Sequence, residues 1–284
     1  MFAWNFEAIG THWQINTDRP VSHGDRARVT ALIDRFEHEW SRFRADSAVS
    51  ALANGVAQVP LPPDAPALFD TYAQLSAATD GAVNPLVGDA LARRGYGPEV
   101  SLIDRGAQAA PEDWRRMLAW SGEHLSLTEP AMVDIGAIGK GRLVDIVFEA
   151  LCATTSGTVV VDASGDSRVR GQTQRVGLEH PFDTRRAIGV IEVSDAALCA
   201  SATNRRAWGE GLHHVLDART GEPVRAIAAT WAIAETAMRA DAIATALFFD
   251  GGPELAFEWD VQWVRMTTDG SVQWSPGSKA ELFL

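Results

Sequence analysis

Asp241 and Thr245 stand four positions apart in RADAIATALF, a spacing that puts a carboxylate and a hydroxyl on one face of a helix. With a nearby carbonyl, such an oxygen set suits Mg2+, a hard cation that takes oxygen ligands. The same spacing also describes an ordinary helix start with a charged residue and an inward-packed threonine. A second stretch, VDIGAIGKGR at 133–142, sets glycines around Lys140. Glycine lets backbone approach a ligand closely and lysine is a compact positive charge, so phosphate is the ligand to test. The phosphate loop of nucleotide hydrolases is excluded, because Asp134 stands where its first glycine belongs and Gly141 where its Ser/Thr belongs. The dinucleotide fingerprint is half met: Gly139 and Gly141 fit and Asp162 ends the next strand-like run, but Val144 fills the third glycine position. A plain strand–turn–helix with glycines in the turn stays open. His213 and His214 offer an imidazole for proton transfer, or simply one exposed and one structural ring.

The rest of the chain must position these groups. Its 284 residues are 46% hydrophobic, enough for a sizeable core. A net charge of −12 argues against a nucleic-acid or acidic-membrane partner, so an anionic ligand must meet a local basic patch or a metal ion. Cys152 and Cys199 lie in apolar contexts and read as reduced, buried residues. No run is long enough to insert in a membrane, and the N-terminal segment lacks a basic start, an apolar signal core and a lipidation cysteine, so a cytoplasmic location is expected. Residues 3–16 alternate as a strand, and 24–44 carry apolar residues at helical spacing. A capped helix follows Asp64, and another spans 139–155. Strands are expected at 158–163, 167–171, 174–179 and 187–193, loops across ALCASATNRRAW and LHHVLDARTGEPV, a helix over TAMRADAIATALFF and a final strand pair over 261–275. Because the later strands are consecutive, the reading is α+β: mixed, largely antiparallel sheets with packed helices, in one domain over 1–284.

Taken in order, the motifs resemble the ApbE family of FAD:protein FMN transferases. AIGT (8–11) resembles its Met-Gly-Thr opening, SRFRADSAVSALANG (41–55) its Ser/Tyr/Arg…Asp-Ser…Asn segment, and DGAVNP (80–85) its Asp-Gly-Ala-Phe-Asp-Pro. VDIGAIGKGRLVD (133–145) is similar to the central Asp-x-Gly-x-x-x-Lys-Gly-x-x-x-Asp signature, and SGDSRVRG (164–171) to a Gly-Gly-Asp turn. HHVLDARTGEPV (213–224) resembles His-x-x-Asp-Pro-x-Thr-Gly-x-Pro-Val, and ADAIATAL (240–247) Ala-Asp-x-x-x-Thr-Ala. The chain departs at Ile9 for methionine, Phe43 for tyrosine, Asn84 for aspartate and Ala218 for proline.

The resemblance implies an ApbE-like fold with FAD in a central crevice. It implies FAD contacts at Ile9, Phe43, Ala82, Val83, Asn84, Asp134, Lys140 and Thr230. It implies Mg2+ at the Ala137 carbonyl, Asp241, Ala244 and Thr245, with Asp241 and His214 as catalytic residues and His214 as the base. The implied reaction moves FMN from FAD, the substrate, to a Thr/Ser hydroxyl of an acceptor flavoprotein and releases AMP. Hydrolysis of FAD to FMN and AMP, and FAD binding without catalysis, are the alternatives. Arg205 and Arg206 are further candidates to meet phosphate, with a solvated face as the first reading.

Overall fold

The computed structural model describes residues 1–283. Its helices are α1 (His23–Trp40), α2 (Ala48–Ala53), α3 (Ala65–Ala78), α4 (Gly88–Arg93), α5 (Trp114–Met117), α6 (Gly139–Cys152), α7 (Ala237–Ala246) and α8 (Gly252–Glu258). An eight-stranded sheet runs, edge to edge, Phe2–Ala8, Thr11–Thr17, Val159–Asp162, Asp166–Arg170, Ala197–Ala202, Ile227–Ala234, Gln262–Thr267 and Val272–Trp274, every neighbouring pair antiparallel. This is the α+β, largely antiparallel architecture expected from the strand sequence.

Strand alternation divides the interior into two layers. Trp13, Ile15, Val159, Val161, Cys199 and Ala232 face the helices and join their apolar residues in the main core. The intervening Val160, Val169, Leu198, Trp231 and Val264 face the other way. They pack against Leu178, Ile188, Ile191 and Val193, from a three-stranded sheet of Gln174–Glu179, Ala187–Val193 and Glu281–Leu282.

On the helical side, α1 is started by Ser22, whose side chain accepts from the Asp25 N–H, and it buries Val29, Ile33, Phe36 and Trp40 along one stripe. The helix α7 is rich in alanine, with Ala237, Ala240, Ala242, Ala244 and Ala246 all buried. Small side chains let it lie close to both the sheet and α6. The closest point is Gly141, where an added Cβ would sit 2.4 Å from the Ala237 carbonyl oxygen and 2.7 Å from Asp241 Cβ. Asp145, one turn further along α6, is 1% exposed and accepts from the first N–H groups of α7, at Ala237 (2.8 Å) and Met238 (2.9 Å). Its charge is matched by Arg168 at 2.8 Å and by the positive end of the helix.

Two expectations need correction. Residues 3–16 form a hairpin, not one strand, with Ile9 and Gly10 at φ +48° and +71° between the paired Ala8 and Thr11. This two-residue turn needs positive φ at both centres, and a β-branched residue there carries strain. Ile-Gly lacks the usual asparagine or aspartate signal, so the alternation seemed continuous. Residues 197–202 of ALCASATNRRAW are a central strand rather than a loop. Its alanines, cysteine and serine are small because α7 lies across them, with Cys199 Sγ 3.3 Å from the Ala237 carbonyl. Replacing Asp145 by alanine leaves the Ala237 and Met238 N–H groups without their acceptor and Arg168 with Glu149 alone. The expected loss is about 3 kcal/mol of unfolding free energy, measured by chemical denaturation; a loss below about 1 kcal/mol would contradict the capping role.

Candidate active site

The α6–α7 crossing brings together three of the four expected oxygen donors, from Ala137, Asp241 and Thr245. The Gly141 N–H, in the first turn of α6, donates to Asp241 Oδ2 at 2.9 Å. One turn along α7, the Thr245 hydroxyl donates to the Ala137 carbonyl at 3.1 Å. Asp241 is 4% exposed, and burial, followed by the nearby Asp166 charge, pushes its carboxyl well above the usual range. A carboxylate, a carbonyl and a hydroxyl converging without a dedicated cationic partner fit a hard divalent cation. No cluster of three or more His, Cys, Asp or Glu side chains suited to a metal occurs among the described residues, so any ion here would share its coordination with backbone, hydroxyl and ligand oxygens.

Lys140 sits beside this set but is already engaged. Its ammonium lies 2.9 Å from Asp166 Oδ2 and donates to the Ala163 carbonyl at 3.1 Å. Burial pulls its pKa down, and the Asp166 and Asp241 charges more than offset this, so it stays protonated. Asp166, 0% exposed, lies in the SGD turn that joins two central strands.

These groups open into a cavity of about 860 Å³, within the range of small-molecule sites. Ile9, Phe43, Ala82, Val83, Asn84, Asp134, Ala137, Lys140, His214, Asp241 and Thr245 all line it. Two expected residues do not. The Thr230 hydroxyl donates to the Ala244 carbonyl at 2.6 Å behind α7; this occupies both groups, and Trp231 forms the wall instead. Asn84 lines the cavity, but its amide braces the loop, donating to the Pro111 carbonyl and accepting from the Leu86 N–H, each at 2.8 Å.

The histidine pair divides cleanly. His213 Nε2 meets the Val224 carbonyl at 2.9 Å and its Nδ1 accepts from the Val215 N–H at 3.3 Å, so this ring braces its loop. His214 Nδ1 is buried with no hydrogen-bond partner. Burial first, then the Arg206 and His213 charges, lower its pKa to about 3, and the ring is neutral near pH 7. Asp217, on the same loop, is clamped by Arg219 at 2.7 Å.

Sequence reasoning missed Arg42, which is 4% exposed, pairs with Asp134 and donates to the Tyr96 carbonyl at 2.6 Å. Its guanidinium lies 4.1 Å from the Phe43 ring centroid and 5.0 Å from that of Tyr96, a cation–π arrangement that fixes the aromatic lip. Its place in SRFRADS beside Phe43 was the available signal.

Fold and site together define an α+β protein whose cavity combines a hard-cation oxygen set, a buried lysine and a neutral imidazole. The chain belongs to the ApbE family, whose model matches residues 9–261. Among curated proteins it is 26% identical to an FAD:protein FMN transferase of Rhodobacter capsulatus over 98% of this chain and 57% of that protein. It thus spans little more than half that relative's length. It is also 26% identical to an Escherichia coli protein of the same name, over 89% of this chain and 79% of that one. Its fold matches the ApbE protein of Thermotoga maritima with a TM-score of 0.83 at 20% identity, and the flavin transferase ApbE of Vibrio cholerae with 0.80 at 23%, each over 96% of both chains.

Two outcomes follow from the geometry. An NMR titration of the ligand-free protein should find His214 neutral at pH 5; protonation near pH 6.5 would contradict its burial. Because its folded pKa lies below the unfolded 6.5, the unfolded chain takes up more protons, and this group lowers stability progressively as pH falls from 6.5 toward 3. Lys140→Ala should cost about 3–5 kcal/mol in a denaturant melt, because it strands the buried Asp166 carboxylate. An unchanged midpoint would contradict the ion pair.

Proposed function

We propose that this chain, acting as one ApbE-like domain, transfers FMN from FAD to a Thr or Ser hydroxyl of an acceptor flavoprotein and releases AMP. The observation that carries the reading is the convergence of Asp241, Thr245, the Ala137 carbonyl and His214 on one cavity. The relatives named FAD:protein FMN transferase support it. In the reaction the acceptor oxygen bonds to the FMN-side phosphorus, the bridging P–O bond breaks, and AMP takes the leaving oxygen. His214 takes the hydroxyl proton. A pKa near 3 makes this imidazole a weak base; nearby negative charge raises the pKa of an imidazole, and the FAD phosphates would supply it. Asp241, Thr245 and the Ala137 carbonyl would hold Mg2+, which when bound neutralises charge developing on the pyrophosphate oxygens. Gly141 orients Asp241 through its N–H, and Arg42 holds Asp134 at the cavity wall. Phosphoryl transfer asks mainly for such positioning and charge compensation.

The test is incubation with FAD, Mg2+ and a candidate acceptor flavoprotein, followed by intact-mass and nucleotide analysis. An FMN adduct with stoichiometric AMP is expected. Free FMN with AMP at the same rate without acceptor would indicate hydrolysis, and unchanged FAD would indicate binding alone. Exhaustive chelation should abolish AMP release and Mg2+ should restore it. Asp241→Asn should lower the rate about a hundredfold or more. Full turnover in chelator would contradict the metal assignment.

A further inference from the structure

We propose that Arg206 supplies the free positive charge that meets the phosphates of the dinucleotide, the part that the sequence assigns to Lys140. This rests on FAD being the ligand. The lysine and arginines lining the cavity are Arg42, Lys140, Arg205 and Arg206. The first three are each neutralised by a carboxylate: Arg42 by Asp134, Lys140 by Asp166 at 2.9 Å and Arg205 by Glu179 at 3.0 Å. Among the described residues, no carboxylate oxygen lies within 4.0 Å of the Arg206 guanidinium, which forms no side-chain hydrogen bond. In a chain of net charge −12, an uncommitted arginine on a cavity wall is a specific resource for an anion.

Its placement is built by backbone. Ala207 pairs with His213, and the His214 N–H donates to the Arg206 carbonyl at 3.2 Å. The hairpin therefore presents Arg206 and His214 to the cavity together. The Arg206 charge is felt by the His214 imidazole on the same hairpin, where it helps to lower that pKa. The guanidinium shares one cavity with the imidazole and with Asp241, Thr245 and Ala137. A pyrophosphate engaging those groups would lie within its range, and the planar fork suits phosphate oxygens.

Fluorescence titrations with FAD and riboflavin test this in the wild-type protein, Arg206→Gln and Arg206→Lys. Riboflavin carries the same ring system without phosphate. Arg206→Gln should weaken FAD binding about tenfold or more and leave riboflavin affinity within about twofold, which also shows that the cavity is intact. Arg206→Lys should keep most of the FAD affinity, because charge is the main demand. Unchanged FAD affinity in Arg206→Gln, or equal loss for both ligands, overturns the assignment while wild-type FAD binding leaves the functional reading standing. A wild-type protein that does not bind FAD overturns both.

Discussion

The close crossing of α6 and α7 at Gly141 is the constraint on which the site depends. A side chain there would collide with the Ala237 carbonyl and with Asp241 Cβ. Without one, the Gly141 N–H reaches Asp241, Asp145 reaches the start of α7, and Thr245 reaches the Ala137 carbonyl. Gly141 of VDIGAIGKGR thus serves helix packing. The alanines of α7 and the small residues of the 197–202 strand extend the same close packing into the sheet.

Charge is arranged around that crossing with little to spare. Lys140 is balanced by Asp166, Arg42 by Asp134, and Arg168 by Asp145, each pair partly or wholly out of water. Such pairs are costly to break and fix one arrangement of the elements that carry them. Asp241 is left without a dedicated cation, and the His214 imidazole is neutral near pH 7. These are the two groups to which the proposed transfer assigns a cation and a base.

Much of this was legible in the sequence because it is written in local spacing. Asp241 and Thr245 do share a helix face, and 133–142 does open a helix beside them. The alternation of 158–163, 174–179 and 187–193 gave real strands, and the family resemblance gave their common fold. What was not legible depends on partners distant in sequence. Asp166 meets Lys140 only when the sheet folds beneath α6, and Arg42 meets Asp134 across 92 positions. Thr230 and Ala244 bond to one another behind α7 and leave the cavity wall to Trp231, a one-residue change of strand face that only register decides. The Ile9-Gly10 turn hid inside a continuous alternation, and the strand at 197–202 hid behind residues whose smallness answers to α7.

The most direct measurement is the rate of AMP release from FAD, with Mg2+ and a candidate acceptor flavoprotein, by Gly141→Ala beside the wild-type protein. An added methyl group pushes α7 from α6 and displaces Asp241 from Ala137, so release should fall at least about tenfold, since displacements near 1 Å cost rates of that order. A Gly141→Ala protein that releases AMP at the wild-type rate would contradict the claim that this crossing builds the site.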